Sequence, residues 1–574
     1  MRSSYKYIIL ILFVLMPGLL YSQSQDWVRK SIYPQADSGK SKIYNWMWGR
    51  HYRLLYTIPI RVPSATIETL GGGMDIVGQA EGFHGLLLEN KRKQLYLLKP
   101  LGGSTSFLES KFFREIYNKT DFKNTYLDEF LGDAYTIINP YTFLVADYLA
   151  KSAGLSFSPS RIYYIPSHIR KDTVADGSDI QDRLVNLINV PDINLRSNLY
   201  TTEDFLDSLQ VSKNYMADQN LYIRERIFDM WTGDWNKTNE NWEWQSHTVN
   251  DSVIYTPIVI DRNHAFTKVD GVLFKQMLKM LSLDFICNYD SLILKDTKKI
   301  NKLAFALDMA VAGRSDESVW IRQAQEIRRQ MTDSLIDSAF TYLPEGVKHD
   351  EIELIKRKLK RRRLELEAVA CQYYRLLQRT PVVAGTNQSD YFLIERQAPD
   401  RTILRIYDPE TGDCRLEQQF SGKETKELWL YGLAGNDTFE VKGNTRKDFP
   451  IYLISGEGEN QYQLNHSRKI HVYDKDYKYD YQKIKYHKIS FTPWGIYDSD
   501  KGISLGTFFT YTMYGFKRAP FTYQHRIGYN YLKGFMYAGV FPNYDGRRRL
   551  YLNASISSPR NFENFFGFGN NTAG

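Results

Sequence analysis

The sequence predicts a multidomain α+β protein. A mixed region, a helical block, a small all-β region and a run of alternating strands follow one another. Three observations carry this. The chain has 574 residues, and single hydrophobic cores stop growing at roughly 250–300 residues. Hydrophobic periodicity changes along it, from three-to-four spacing over 272–380 to two-residue alternation over 502–557. The 42 Tyr and 31 Phe suit β structure and the aromatic belts of membrane interfaces.

Residues 1–22 read as a secretory signal. Arg2 and Lys6 form a charged start, Tyr7 to Leu20 an apolar run broken by Pro17, and Leu20-Tyr21-Ser22 a cleavage site before Gln23. The run falls short of the ~20 apolar residues that span a bilayer. No Cys follows it to carry a lipid anchor. Net charge is +8, of which Arg2 and Lys6 belong to the leader, so a nucleic-acid partner is excluded. The dense Lys-Arg run from Lys356 to Arg363 lies in a helical pattern from Asp350 to Leu377 and reads as a solvated face. Cys287, Cys371 and Cys414 are too far apart for a metal site and odd in number for a disulfide framework, so buried free thiols are expected. No Ser-His-Asp or Cys-His arrangement is legible, and the ten His lack ligand spacing, so hydrolase and zinc chemistry have no support.

Residues 23–65 hold Trp46, Trp48 and His51 and read as an irregular, aromatic-packed arm, with His51 a structural hydrogen-bonder. Next come Gly71-Gly72-Gly73, then Ile76-Val77, then Gly78, Gly82 and Gly85 leading into Leu86-Leu87-Leu88. After a turn at Glu89-Asn90-Lys91, Gln94 to Lys99 alternate as a strand. Strand, glycine-rich turn and a strand ending near a Lys is how a nucleotide lid is built. Glycines let backbone approach phosphates, and the Lys neutralises them. A β-hairpin with glycine at its bends is the alternative. Leu108–Tyr117 and Pro140–Ala153 read as helices, and Phe157–Ile165 as a strand stopped by Pro166. Polar residues 167–217 read as a surface insertion, and Leu221–Trp231 as a helix that delivers the chain to Gly233.

The most telling stretch follows: Gly233-Asp234-Trp235-Asn236-Lys237-Thr238-Asn239-Glu240-Asn241, then a strand from Ser252 that ends at Asp261. A polar loop rich in Asp and Asn, then an apolar strand ending in an acid, is how a phosphotransferase presents a base and its magnesium ligands. Asn241 and Asp261 fit the metal positions. The base position carries Asn236.

Residues 381–480 switch to short β runs. The turns at 432–439 and 455–462 echo one another and resemble the calcium-binding glycine-aspartate turns of parallel β-solenoids. The second has Glu459 and Asn460 in place of Asp, so structural turns without calcium are expected. Over 502–557, four alternating runs (Ile503–Tyr511, His525–Tyr531, Phe535–Phe541, Leu550–Ile556) suit antiparallel membrane strands of ~9–11 residues. Four strands cannot close a barrel, so the chain is expected to be a piece of a longer protein.

The loop at 233–241 resembles the G-N-x-D-R-H-x-x-N catalytic loop of HipA-type toxin kinases, phosphatidylinositol kinases and secretory-pathway kinases. Tyr96-Leu97-Leu98-Lys99-Pro100 is similar to their nucleotide-contacting strand, and Ile260-Asp261 to their metal-binding Asp. Further features align in order: Gly49-Arg50-His51-Tyr52-Arg53, the triple glycine, Gly233-Asp234-Trp235, Asn241-Trp242-Glu243-Trp244 and Asp261-Arg262 with Ala265-Phe266. That order resembles an exported Bacteroidetes family. There, a kinase-like region is joined to a BamA-type (bacterial surface antigen) outer-membrane β-barrel. The resemblance implies a two-lobed kinase-like domain over 66–380, with an N-lobe at about 66–166 and a helical C-lobe at about 218–380. A small all-β domain, solenoid- or sandwich-like, over 381–480 and the first barrel strands over 481–574 follow. It implies ATP and magnesium as cofactors, with Lys99 and Gly71, Gly72 and Gly73 toward the nucleotide and Asn241 and Asp261 toward the metal. It implies export to the outer membrane, with lipid and other outer-membrane or exported proteins as partners.

This sequence departs from the pattern at the base. Asn236, Lys237 and Thr238 stand where Asp, Arg and His are usual. An amide cannot accept the proton, commonly a loss of ~10²–10⁴ in rate. Asp234, two residues earlier, would point to the same side of an extended loop and is the candidate substitute. A pseudokinase or ligand-binding module on a barrel is therefore expected. An active ATP- and magnesium-dependent exported phosphotransferase and a structural surface protein without a small-molecule ligand are the alternatives.

Overall fold

A computed structural model of the chain describes residues 26–80, 85–102, 126–167, 180–189, 198–260, 262–281, 283–347, 349–444, 447–465, 468–473, 479–485, 487–498, 502–514, 521–542 and 548–559. The expected signal at 1–22, the helix at 108–117 and Gly82 lie outside these residues. The architecture is mixed α+β, with six sheets among the described residues.

The arm is more regular than expected. β1 (Trp27–Lys30) pairs antiparallel with β2 (Ile60–Pro63), and α1 (Lys42–Trp48) and α2 (Arg53–Thr57) lie between them. Ser41 caps α1 by accepting from the Tyr44 N–H. His51 is structural, as expected: its Nδ1 stands 2.7 Å from Asp270 Oδ1.

β3 (Met74–Ala80), β4 (Gly85–Asn90), β5 (Leu95–Pro100), β6 (Ser160–Ile165) and β7 (Arg183–Asn189) form a sheet in the order β3-β4-β5-β7-β6. α3 (Tyr126–Tyr135) and α4 (Phe143–Ser152) precede β6. β7 corrects the reading of 167–217 as a surface insertion. Its run Leu184-Val185-Asn186-Leu187-Ile188 is buried and pairs with both β5 and β6. The polar residues on either side of this short apolar run masked it. Beyond it, β8 (Leu199–Thr201), α5 (Thr202–Val211) and β9 (Tyr215–Ala217) are also packed structure, and the Phe205 ring stacks 3.7 Å from that of Trp244.

α6 (Gln219–Thr232) is buried on nearly all sides from Tyr222 onward, as the central helix of a large core is. It leads through the 233–241 loop to the hairpin of β10 (Trp242–Val249) and β11 (Ser252–Val259). The helical block is α7 (Val272–Met280), α8 (Thr297–Ile300), α9 (Phe305–Ala312), α10 (Glu317–Gln330), α11 (Asp333–Ala339), α12 (Asp350–Arg363) and α13 (Leu366–Leu377). The single helical pattern from Asp350 to Leu377 is thus two helices. Nor is its basic run wholly a solvated face. Arg362 is buried, and its guanidinium donates to the carbonyls of Trp231 (2.8 Å), Asp290 (2.9 Å) and Met230 (2.5 Å).

The next region is a parallel β-solenoid. β12 (Val382–Ala384), β16 (Leu428–Tyr431), β18 (Ile451–Ile454) and β20 (Ile470–Tyr473) form one all-parallel sheet. β13 (Tyr391–Gln397), β17 (Thr438–Gly443) and β19 (Gln461–Leu464) form the parallel part of the other. The antiparallel β14 (Arg401–Tyr407) and β15 (Cys414–Ser421) extend that sheet beyond β13. The rings of Phe392, Phe439 and Tyr462 stack through it at 4.6 and 5.6 Å. A third turn, Gly385 to Asp390, joins the two read from the sequence. The Asp390 N–H donates to Asp437 Oδ1 and the Asp437 N–H to Asn460 Oδ1, each at 2.9 Å. A Cβ at Gly458 would stand 1.8 Å from the Gly435 carbonyl oxygen, so the rungs stack this closely only with glycine there.

The last sheet is an antiparallel meander of β21 (Lys488–Asp498), β22 (Gly502–Met513), β23 (Tyr523–Asn530), β24 (Gly534–Phe541) and β25 (Leu550–Ile556). It has five strands, not four, because β21 precedes the alternating runs read from the sequence. The sheet is open among the described residues. The expected face of Ile503, Leu505 and Phe509 exists and is solvent-exposed, with Ile503 75% accessible. The opposite face carries Ser504, Thr510, Thr512 and Asn530, all buried. Ser504 Oγ donates to Asn530 Oδ1 at 2.7 Å, and Gln524 Nε2 to Thr512 Oγ1 at 2.9 Å.

Candidate functional site

The site begins where α6 stops. Gly233 takes the left-handed conformation (φ 78°), and the N–H groups of Gly233 and Asp234 both donate to the Asp229 carbonyl, at 2.8 and 2.9 Å. Arg362 satisfies the carbonyls of Met230 and Trp231 with a cation placed at the negative end of the helix.

From this cap the loop turns inward. Asp234 and Lys237 are both buried, and their side chains form an ion pair. Lys237 Nζ also stands 3.6 Å from Asp229 Oδ1. Asp229 accepts from Arg226 Nη1 at 2.6 Å, and Arg226 Nε donates to Asp308 Oδ1 at 2.8 Å. Tyr222 OH donates to the same Asp308 oxygen at 2.7 Å. Beside this chain, buried Glu225 accepts from Arg262 Nη2 at 2.6 Å and from Ser156 Oγ at 2.8 Å. Burial pushes the Glu225 carboxyl up from its ordinary value, and the Arg262 guanidinium opposes that. The loop therefore rests on buried charge that is paired throughout, which low-dielectric surroundings demand.

The loop also lies against the segment after β11. The Phe266 N–H donates to the Thr232 carbonyl at 2.9 Å, and the Ile260 N–H to the Asn241 carbonyl at 3.3 Å. Trp235 Nε1 donates to Thr267 Oγ1 at 3.0 Å, and its ring lies edge-on to His264 at 4.8 Å. Asn236, half-buried, places Nδ2 3.4 Å from His264 Nδ1. Asn241 Oδ1 accepts from the Thr238 N–H (2.8 Å) and Thr238 Oγ1 (2.9 Å). Those two bonds use both lone pairs of that oxygen.

Asp234, Asn236 and Asn241 thus share one loop, and His264 of the segment after β11 lies against it. Asp234 does not point where the sequence suggested. The turn at Gly233 breaks the extended parity, and the carboxylate goes into the core against Lys237 instead of standing beside residue 236. It is structural. Asp261 lies outside the described residues; its neighbour Ile260 is the residue bonded to Asn241. Among the described residues, no group of three or more His, Cys, Asp and Glu could hold a metal ion.

Lys99 stands half-buried near the end of β5, paired with Asn186 of β7. Leu86 pairs with Leu98, so Lys99 lies at the end of the sheet where β3 passes to β4. Gly85 packs there too, and a Cβ on it would meet the Leu98 carbonyl oxygen at 2.6 Å. Gly71, Gly72 and Gly73 lie at the other end. Met74 pairs with Asn90, and a Cβ on Gly73 would stand 3.8 Å from Lys91 Cε. The antiparallel hairpin therefore sets the triple glycine and Lys99 apart by the length of β5. Gly85, the first residue of β4, is the glycine beside Lys99 among the described residues.

The sequence reading missed the roles of Glu225, Arg226, Asp229, Asp308, Arg262 and Arg362. One signal was available for three of them: Glu225, Arg226 and Asp229 are charges set among the apolar positions of α6.

No family model matches the chain, and no curated protein matches it. Among solved structures, the Helicobacter pylori proinflammatory kinase CtkA aligns at 11% identity with a TM-score of 0.28, over 55% of this chain and 99% of its own. A chain of the Shewanella oneidensis MR-1 toxin–antitoxin complex of HipA, HipB and operator DNA aligns at 10% identity with a TM-score of 0.20. That alignment covers 40% of this chain and 57% of the Shewanella one. Likeness at these scores carries no inference about chemistry.

Proposed function

We propose that residues 66–380 are a kinase-like module that binds a nucleotide, and that its loop lacks the carboxylate base of an efficient phosphotransferase. The supporting observation is the bonded pairing of loop 232–241 with segment 260–267 across the β10–β11 hairpin. It sets Asn241 next to the residue that precedes Asp261. Phosphoryl transfer depends on positioning and charge stabilisation more than on covalent chemistry, so a loop held in this way supports the nucleotide-binding reading. When bound, magnesium would neutralise phosphate charge. Asp261 and Asn241 are the residues for it, Asn241 only on releasing Thr238, and Lys99 would take the phosphates.

The test is a thermal shift with ATP and magnesium. Nucleotide at 100 times its dissociation constant stabilises by ~2.7 kcal/mol. The shift is expected in the native chain and absent from Lys99→Ala and Asp261→Ala. No shift with any nucleotide overturns the reading. One observation favours the active alternative: the His264 imidazole beside Asn236 is a group that can accept a proton. Transfer of label from γ-labelled ATP, lost in His264→Ala while the thermal shift persists, would establish it.

For the meander of β21–β25 we propose a lipid-facing role in an exported outer-membrane protein. Ile489, Ile503, Leu505, Ile527, Phe535 and Ile556 share one exposed face, and Ser504, Thr510, Thr512 and Asn530 are buried on the other; apolar residues outside and polar residues within is the pattern of a membrane barrel wall. No helix among the described residues is long and apolar enough to cross a membrane. Fractionation of the expressing cell should place the protein with membranes. Recovery wholly in the soluble fraction overturns this role.

A further inference from the structure

The helical block carries a surface that the nucleotide module does not use. α7 buries Phe274 and Leu278, half-buries Met277 and exposes its other residues. On the exposed side, Lys275 and Lys279 lie along one edge and Leu273 and Met280 along the other, with Val272 and Gln276 between them. This division, cations beside exposed apolar side chains, is that of a helix lying in a membrane–water interface. Farther along the chain, Leu292 and Leu294 are exposed as well. Residues 271–302 hold six lysines and three aspartates; Lys295, Lys299 and Lys302 pair with Asp290, Asp296 and Asp284, and the Lys275 and Lys279 side of α7 carries the rest of the charge with Lys298.

Both parts of this surface reach the meander. α7 packs against β21. Lys298 Nζ donates to the carbonyl of His487, the residue before β21, at 3.0 Å. Positive charge accumulates at that junction. Burial pushes the Lys298 ammonium down, and the Arg379 cation adds to the effect. The His487 imidazole is pushed down by burial, then by Arg379 and Lys298.

We infer that α7 forms a membrane-surface contact. Lys275 and Lys279 take the phosphates of anionic lipid headgroups, and Val272, Leu273 and Met280 enter the acyl boundary. The inference rests on the lipid-facing reading of β21–β25. What selects lipid over an acidic protein is continuity: the basic surface adjoins a sheet whose outer face exposes Ile489, Ile503, Leu505 and Ile527. It also commits the helical block to lie against the bilayer at the base of β21.

The test is co-flotation of the full chain with vesicles of phosphatidylcholine alone, or with phosphatidylglycerol added. The expected result is stronger flotation with phosphatidylglycerol. The double variant K275Q/K279Q should partition roughly 30-fold less onto those vesicles, as two surface lysines do on an anionic membrane. K275R/K279R, which keeps the charge, should behave as the native chain. Equal flotation on both vesicle types, unchanged in K275Q/K279Q, overturns the surface contact and leaves the sheet reading standing. Dependence on phosphatidylglycerol that ignores K275Q/K279Q also overturns it. Flotation with neither vesicle overturns the sheet reading and this inference together.

Discussion

Lys237 decides how the candidate loop is built. Its ammonium sits between two buried carboxylates, Asp229 and Asp234, where an arginine is usual in the resembling loops. Removing one partner of a buried charge pair costs ~3–5 kcal/mol, because the other charge is left uncompensated. Lys237→Met should therefore destabilise the helical block by about that much, read by denaturant unfolding followed through tryptophan fluorescence. Lys237→Met combined with Asp234→Asn should recover part of the loss. Full stability in Lys237→Met alone would mean the pair contributes nothing. Asn236 offers the converse experiment. Asn236→Asp restores a carboxylate beside His264 and should raise any phosphotransfer by ~10²–10⁴, measured with labelled ATP. At this scale the identities of the loop residues were legible from spacing, and their directions were not. Parity along an extended loop put Asp234 beside residue 236, but one left-handed glycine rotated it into the core.

The solenoid shows what a stacked element does to its own acids. Asp390 and Asp437 lie on adjacent rungs. Burial pushes the Asp437 carboxyl up to about 8, and the Asp390 carboxylate adds to that. Burial raises Asp390 too, against the bonds it accepts from Thr386. A carboxyl raised on folding binds its proton more tightly in the folded state. Its stabilising contribution is therefore complete below the unfolded carboxyl range and is lost as pH rises through about 8. Melting of the β domain at pH 5, 7 and 9 should show stability falling toward the alkaline end. Asp437→Asn should flatten that slope; an unchanged slope would assign it to other groups. The third rung escaped the sequence because its spacing is irregular. Asp390 and Asp437 are 47 residues apart, whereas Asp437 and Asn460 are 23 apart. The hairpin β14–β15 is inserted between the first two turns, so a fixed period cannot find them. β7 escaped for a related reason: a short apolar strand enclosed by polar chain looks like a loop until its two neighbours are known.

Across the whole molecule, the order of regions followed from periodicity alone, because alternation and helical spacing each extend over long windows. The sense of the alternation did not. A strand with one apolar and one polar face reads the same whether the apolar face meets a core or a lipid, and only the packed sheet shows Ile503 and Leu505 outside and Asn530 inside. β21 was invisible because Pro493 and Gly495 interrupt its pattern. A lysine at Leu505 belongs to this scale. Charge on a lipid-facing strand costs ~2–4 kcal/mol near the midplane. Leu505→Lys should therefore reduce the membrane-associated fraction, whereas Ser504→Thr on the other face should not. Equal fractions for the two variants would show that the outer face meets no lipid.

Arg362 has a mechanical meaning for how the chain around the candidate loop can move. One rigid, five-donor fork ties α12 at once to the end of α6 and to the chain at Asp290. The point from which the loop departs is thereby bolted to the bulk of the helices. Any displacement of the loop has to begin beyond Gly233, or carry α6 and α12 with it.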